Sequence, residues 1–223
     1  MSDLHAPDRH VVEQIAALPR TDRPLLVCDV DEVVFHMASH FETYLAERGF
    51  AFLSHSYHLT GNIAAIGETA PLGRDEVRRL IHGFFDAESG RQTVVQGASA
   101  ALARLSRDWQ VVFLTNLPGA HNKPARERLL ADHGMPYPVV TNSGPKGGAV
   151  SALAAGARGP LVFIDDSPLN LRSVAAALPA ATLVQFIADA RFRAMAEPLA
   201  EVALVTGDWD QTAAFIEAIL LPG

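Results

Sequence analysis

Leu25-Leu26-Val27-Cys28-Asp29-Val30-Asp31-Glu32-Val33-Val34 decides how this chain is read. Apolar residues of strand character run into two aspartates one residue apart. Side chains two apart on an extended chain point to the same side, so Asp29 and Asp31 are expected to converge on one small volume. Like charges that close repel, and one carboxyl would be driven neutral unless a cation lies between them. The carboxyl end of a strand in an α/β sheet is also where ligands bind. Alone the pair is a weak signal, because aspartates at strand ends also make turns and cap helices.

Three further stretches repeat the pattern. Val111-Val112-Phe113-Leu114 is a second apolar strand, ending in the hydroxyl and amide of Thr115-Asn116. Gly144-Pro145-Lys146-Gly147-Gly148 opens a helix with a lysine in a glycine-rich turn. Leu161-Val162-Phe163-Ile164 is a third buried-type strand, ending in Asp165-Asp166. Two of them have a plainer reading: Thr115-Asn116 as an ordinary turn, and Asp165-Asp166-Ser167-Pro168 as a helix start with Pro168 in the first turn. Lysine is the discriminating residue, since Lys123 and Lys146 are the only lysines among eighteen Lys and Arg residues.

In this order the islands resemble the four motifs of the haloacid-dehalogenase-like (HAD) phosphohydrolase superfamily: Asp29-Val30-Asp31-Glu32-Val33, Thr115-Asn116, Lys146 and Asp165-Asp166. The resemblance spans residues 25–178, most of the chain. It implies an α/β core with a doubly wound parallel, Rossmann-like sheet. It also implies a small, mainly helical cap inserted after the first strand.

The element pattern agrees. A helix over 11–18 precedes the first strand, and helices over 125–133, 147–157 and 168–178 alternate with strands at 138–141, 161–164 and 182–186. A last strand near 202–205 and a helix over 209–220 follow. Strands alternating with helices imply a parallel sheet. Residues 35–95 break that rhythm, because about sixty residues stand where one crossover would suffice. They read as a helix over 37–48, a mixed stretch over 50–66 with room for a hairpin, and a helix over 73–87 whose charges form a solvated face. The expected division is a core of residues 1–35 and 95–223 with a cap of 36–94. A cap would exclude water, supply substrate contacts and restrict substrates to small molecules.

Composition excludes several classes. At 223 residues and 49% hydrophobic content the chain can bury a sizeable core. A formal charge of -7 argues against a nucleic-acid polymer as partner. An anionic substrate must therefore be met by local positive charge. Cys28 is the single cysteine, so no intrachain disulfide can form, and its place in an apolar strand suits an inert thiol. No run approaches the roughly 20 apolar residues of a membrane span. The expectation is a soluble, cytoplasmic protein; the sequence says nothing of oligomeric state.

The resemblance assigns roles. Asp29 matches the nucleophile that forms an aspartyl-phosphate, and Asp31 the acid/base that protonates the leaving alcohol and then activates water. Thr115, the backbone N–H of Asn116, and Lys146 match the groups that hold the phosphoryl oxygens. Mg²⁺ suits such an all-oxygen site, with ligands from Asp29, the backbone carbonyl of Asp31, and Asp165; Asp166 orients a metal-bound water. Glu32 stands where the family very often has glycine, and is expected to face solvent. Lys123 and Arg126 read as solvated helix charges. His36, His40, His55, His58 and His82 read as surface or packing residues; as substrate contacts they stay open, beside Arg91.

The implied function is a Mg-dependent phosphatase acting on a small phosphorylated metabolite through an aspartyl-phosphate. A phosphomutase acting on a sugar phosphate is the related alternative. A receiver-like signalling module or a non-enzymatic phosphate-binding protein is the alternative from another class. Receivers place their acidic pair before the phosphorylated aspartate, whereas here the second acidic pair comes last. A non-catalytic descendant would be expected to have lost Asp29 or Asp31.

Overall fold

The computed structural model describes residues 6–19, 21–56 and 59–221. Along the chain run α1 (Arg9–Ala16), β1 (Leu25–Cys28), α2 (Ala38–Ala46), β2 (Phe50–Phe52), β3 (Ile63–Ala65), α3 (Arg74–Glu88), α4 (Ala98–Leu105), β4 (Gln110–Thr115), α5 (Lys123–Asp132), β5 (Val139–Thr141), α6 (Gly147–Ala154), β6 (Leu161–Asp165), α7 (Pro168–Ala177), β7 (Thr182–Phe186), α8 (Ala190–Ala194), β8 (Val202–Thr206) and α9 (Trp209–Ala218). The expected strands and longer helices all form, with ends shifted by a few residues. A 3₁₀ turn, Ala120–Asn122, precedes α5, which starts at Lys123 with Pro124 in its first turn, where its missing N–H costs nothing. Helix α8 was not expected; the Asp189 side chain caps it by accepting from Arg191 N–H.

Six strands form one parallel sheet in the order β5-β4-β1-β6-β7-β8. The continuous apolar runs follow from burial of both faces. Leu25 and Val27 join Val112, Leu114, Leu161 and Phe163 under α1, α6 and α7. Leu26 and Cys28 join Val111, Phe113, Val162 and Ile164 under α4, α5 and α9. Strand β1 lies centrally, and the chain winds outward from it in both directions, so a crevice opens at its carboxyl end.

Between β1 and α4 the chain leaves the sheet. Residues on either side of the excursion pair with each other: Val95 N–H donates to Val34 C=O at 2.8 Å and His36 N–H to Thr93 C=O at 2.9 Å. Within the inserted unit α2 and α3 pack on the antiparallel β2-β3 hairpin. Phe41, Tyr44, Leu45, Ile63, Val77 and Phe84 form its interior, and the Phe41 and Phe84 rings meet edge to face at 5.1 Å. Arg74, Asp75, Arg78 and Arg79 are exposed, as expected, and Glu76 is half-buried. The unit also rests on the segment after β7: Phe52 packs on Phe192 at 5.6 Å, and Arg191 pairs with Glu42. Among the described residues no helix is long and apolar enough to cross a membrane.

Candidate active site

Strand parity explains which acids meet. Asp29 continues the alternation of Leu25 and Val27, and Asp165 that of Leu161 and Phe163, so both belong to the sheet face covered by α6. Lys146 stands at the start of α6 and reaches both, with Nζ 2.8 Å from Asp29 Oδ1 and 2.7 Å from Asp165 Oδ2. Helix α6 can come that close to α7 because residue 147 is glycine; a Cβ there would meet Ser173 C=O at 2.4 Å. Gly147 N–H instead donates to Ser173 Oγ.

Asp165 is fully buried and held on all sides. Its Oδ1 accepts from Ser167 N–H at 2.9 Å and from the Asn170 amide at 3.0 Å. Oxygens of Asp29, Asp165 and Asp166 all lie within 4.8 Å of one another. Three carboxylates with one ammonium paired to two of them leave an excess of negative charge in a poorly solvated place, and a hard divalent cation fits that donor set. Burial pushes the Asp29 carboxyl up to about 7; Lys146 opposes the rise, and Asp165 and Asp31 add to it. Burial also works against the charge of Lys146, but Asp165 and then Asp29 outweigh it and hold the ammonium above its ordinary range.

The carboxylate of Asp31 faces the same cavity as Asp29 and adds to the rise of its pKa, but it is not part of the tight carboxylate group. Strand β1 ends at Cys28 and its ladder bonding runs one residue further, from Asp29 N–H to Ile164 C=O, so side chains beyond Asp29 no longer alternate as on a strand. Asp31 Oδ1 instead lies 3.0 Å from Arg126 Nη2 and accepts from the Gln92 amide at 2.9 Å. Its Oδ2 stands 3.5 Å from Thr115 Oγ1, too far for a strong hydrogen bond.

Arg126 was expected to face solvent, and the structure overturns that: it is completely buried. It donates to Gln92 Oε1 at 2.6 Å and lies 5.7 Å from the centre of the Phe35 ring. The signal was available, since Arg126 shares a helix face with Leu129, Leu130 and His133 at i+3, i+4 and i+7. Gln92, also buried, was missed; nothing local marks a residue whose partner Asp31 is 61 positions away. Lys123 is half-buried and donates to Gln14 Oε1 at 2.9 Å, so it too is less solvated than expected.

Glu32 is the second correction. It is buried, and its φ of 61° lies in the left-handed region, which explains why glycine suits the position. The carboxylate accepts from the backbone N–H groups of Met37 at 3.0 Å, Ala38 at 2.7 Å and Asp189 at 2.7 Å. It thus fastens the start of α2 to the loop after β7. Cys28 is buried, as expected, and burial pushes its thiol up.

Thr115 is the last residue of β4 and is buried. The Asn116 side chain donates to Gly144 C=O at 2.9 Å and accepts from the Asn142 amide at 2.9 Å, which pins the loop that delivers Lys146. Asp29, Asp31, Thr115, Asn116 and Asp166 face a cavity of about 280 Å³ whose far side comes from the inserted unit. Lys146 and Asp165 lie beneath its floor. His36, His40, His55, His82 and Arg91 do not line it. His40 bonds Thr93, His55 lies 3.3 Å from Glu42, and His82 and Arg91 are exposed. His58 lies outside the described residues.

No protein-family model matches this sequence, and no curated protein matches it. Solved structures do match. A hydrolase from Pseudomonas syringae aligns at 14% identity and a TM-score of 0.58, over 89% of this chain and 100% of that one. A candidate phosphoglycolate phosphatase from Lactobacillus plantarum aligns at 13% and 0.57, over 90% and 100%. A candidate HAD-hydrolase, YfnB from Bacillus subtilis, bound to magnesium, aligns at 12% and 0.52, over 88% and 100%. The fold of this chain is that of the haloacid-dehalogenase-like hydrolases, a six-stranded parallel α/β core with a helix–hairpin–helix unit inserted after the first strand.

Proposed function

We propose that the protein is a Mg-dependent phosphatase that hydrolyses a small phosphorylated metabolite through an aspartyl-phosphate, with residues 36–94 as its cap. The observation that carries this reading is the gathering of Asp29, Asp165 and Asp166 within 4.8 Å of one another, with the buried Lys146 paired to the first two. The magnesium-bound neighbour of the same fold supports the choice of ion. Bound Mg²⁺ would neutralise the carboxylates and the phosphoryl oxygens together. Its ligands would be Asp29, the backbone carbonyl of Asp31, and Asp165, with Asp166 orienting a bound water.

Asp29 attacks phosphorus, the bond from phosphorus to the ester oxygen breaks, and Asp31 gives that oxygen a proton. Water then attacks the aspartyl-phosphate, Asp31 takes its proton, and phosphate leaves with Asp29 restored. Oδ1 of Asp31 is engaged by Arg126 and Gln92, so Oδ2 is the oxygen that exchanges the proton. Thr115, the backbone N–H of Asn116, and Lys146 hold the phosphoryl oxygens and offset their growing charge. A sugar mutase would have to grip many hydroxyls, and the described residues of the cavity wall offer few polar groups for that. Phosphate release from a panel of phosphomonoesters, with Mg²⁺ and with chelator, tests the reading, with Asp29→Asn as the control. Mg-dependent release lost in a folded Asp29→Asn protein is expected. Release at the parent rate from that variant would remove the nucleophile and the proposal with it.

A further inference from the structure

The cavity is divided sharply by chemistry. Its floor carries the acids Asp29, Asp31 and Asp166 with Thr115 and Asn116, where a phosphoryl group and its ion belong. The opposite wall is Met37, Phe52, Leu59, Ile81 and Phe85 from the inserted unit, joined by Phe192 of α8. Among the described residues Ser56 is the polar side chain that this wall contributes, and none that lines the cavity is Lys or Arg. A second anionic group on the ligand would therefore face apolar carbon with a ring of carboxylates below it. Burying a charge without a partner is strongly unfavourable.

Resting on the phosphatase reading, we infer that the substrate is the phosphate monoester of a small, uncharged, largely apolar alcohol. Phosphorylated carboxylic acids, nucleotides and sugar bisphosphates are then excluded as preferred substrates. The volume of about 280 Å³ stands near the lower end, roughly 300 Å³, of small-ligand sites. Once the phosphoryl group is seated, room remains for a short alkyl chain or a single ring. The packing of Phe52 on Phe192 places aromatic carbon against that leaving group.

Phosphonates test this without turnover. Calorimetry in Mg²⁺ would compare methyl-, ethyl-, propyl- and butylphosphonate with phosphonoacetate, which carries a carboxylate. The expected result is tightening of about fourfold per methylene until the cavity is full, with phosphonoacetate at least tenfold weaker than propylphosphonate. Ile81→Arg, which puts a cation into the wall, should reverse that last order. A flat alkyl series, tighter binding of phosphonoacetate by the parent protein, or no binding of any phosphonate would each overturn the inference. Tighter binding of phosphocholine than of propylphosphonate to the Asp29→Asn protein would move the class to cationic alcohols and overturn it too. Phosphate release from the matching esters and from acetyl phosphate is measured alongside. An alkyl gradient in binding with no release from any ester would leave the apolar pocket standing and sink the phosphatase reading instead.

Discussion

Arg126, with no exposed surface, holds its guanidinium 3.0 Å from Asp31 Oδ1 and hydrogen-bonds Gln92, which itself donates to that same oxygen. Its Nε and Nη1 have no hydrogen-bond partner among the described residues. A buried cation with unspent donors is an expensive way to stabilise a fold. Its value lies in fixing the orientation of Asp31.

Arg126→Met keeps the length of the side chain and removes the charge. If Arg126 positions the acid/base, kcat for an alkyl phosphate should fall on the order of 10²-fold, within the range for losing general acid–base help. KM should change little, and Arg126→Lys should recover part of the loss. With acetyl phosphate, whose leaving group needs no proton, the deficit should nearly vanish. An equal deficit for both substrates would show that Arg126 only supports the fold.

Much of the fold is legible in the sequence. The core strands announced themselves as continuous apolar runs, because parallel strands are buried on both faces, and each run ended in residues of the site. Asp29, Asp165 and Lys146 meet as the motif order implied. Local reading failed where a residue's setting depends on distant chain. Glu32 looks like a surface acid until Asp189 N–H arrives 157 residues later. Arg126 was grouped with its charged neighbours, although its spacing to Leu129 and Leu130 marked it as inward. Expected strand parity brings Asp31 to the cavity of Asp29 but says nothing of Arg126 and Gln92, the distant partners that hold its Oδ1.

Glu32 combines a left-handed backbone with three charge-assisted hydrogen bonds to backbone N–H groups. Glu32→Ala keeps the backbone strain and loses the bonds, and should destabilise by about 2–4 kcal/mol. Glu32→Gly loses the same bonds but relieves the strain, so it should be about 1 kcal/mol more stable than the alanine variant. Urea denaturation of the three proteins checks the ordering. An alanine variant as stable as the glycine variant would mean that the φ of 61° costs nothing.

Burial raises the Asp29 carboxyl to about 7, above its ordinary 3.8. Without metal, the folded protein then holds a proton between about pH 4 and 7 that the unfolded chain has released. This group's contribution to stability therefore falls as pH rises through that window. A divalent cation must displace the same proton, so its apparent affinity should climb with pH and level off above about 7. Melting curves with and without Mg²⁺ should show a larger stabilisation at pH 8 than at pH 5.5. A shift of equal size at both would mean that Asp29 does not exchange a proton for the ion.

Lys146 compensates two buried carboxylates at once, so Lys146→Met should expose how much charge the floor of the cavity carries. At pH 8 and without metal, Asp29 and Asp165 would be left facing each other, and breaking such a buried pair costs roughly 3–5 kcal/mol. At pH 5.5 the loss should be smaller, because Asp29 can relieve the repulsion by taking up a proton. Mg²⁺ at pH 8 should restore part of the stability, since the ion can stand in for the missing charge. On the proposed role of the ammonium in holding the phosphoryl oxygens it should not restore turnover; kcat should stay down on the order of 10³-fold. Chemical denaturation at the two pH values, with and without the ion, separates these contributions. A loss independent of both pH and Mg²⁺ would make the defect one of packing around α6, and the electrostatic account of the site would be wrong.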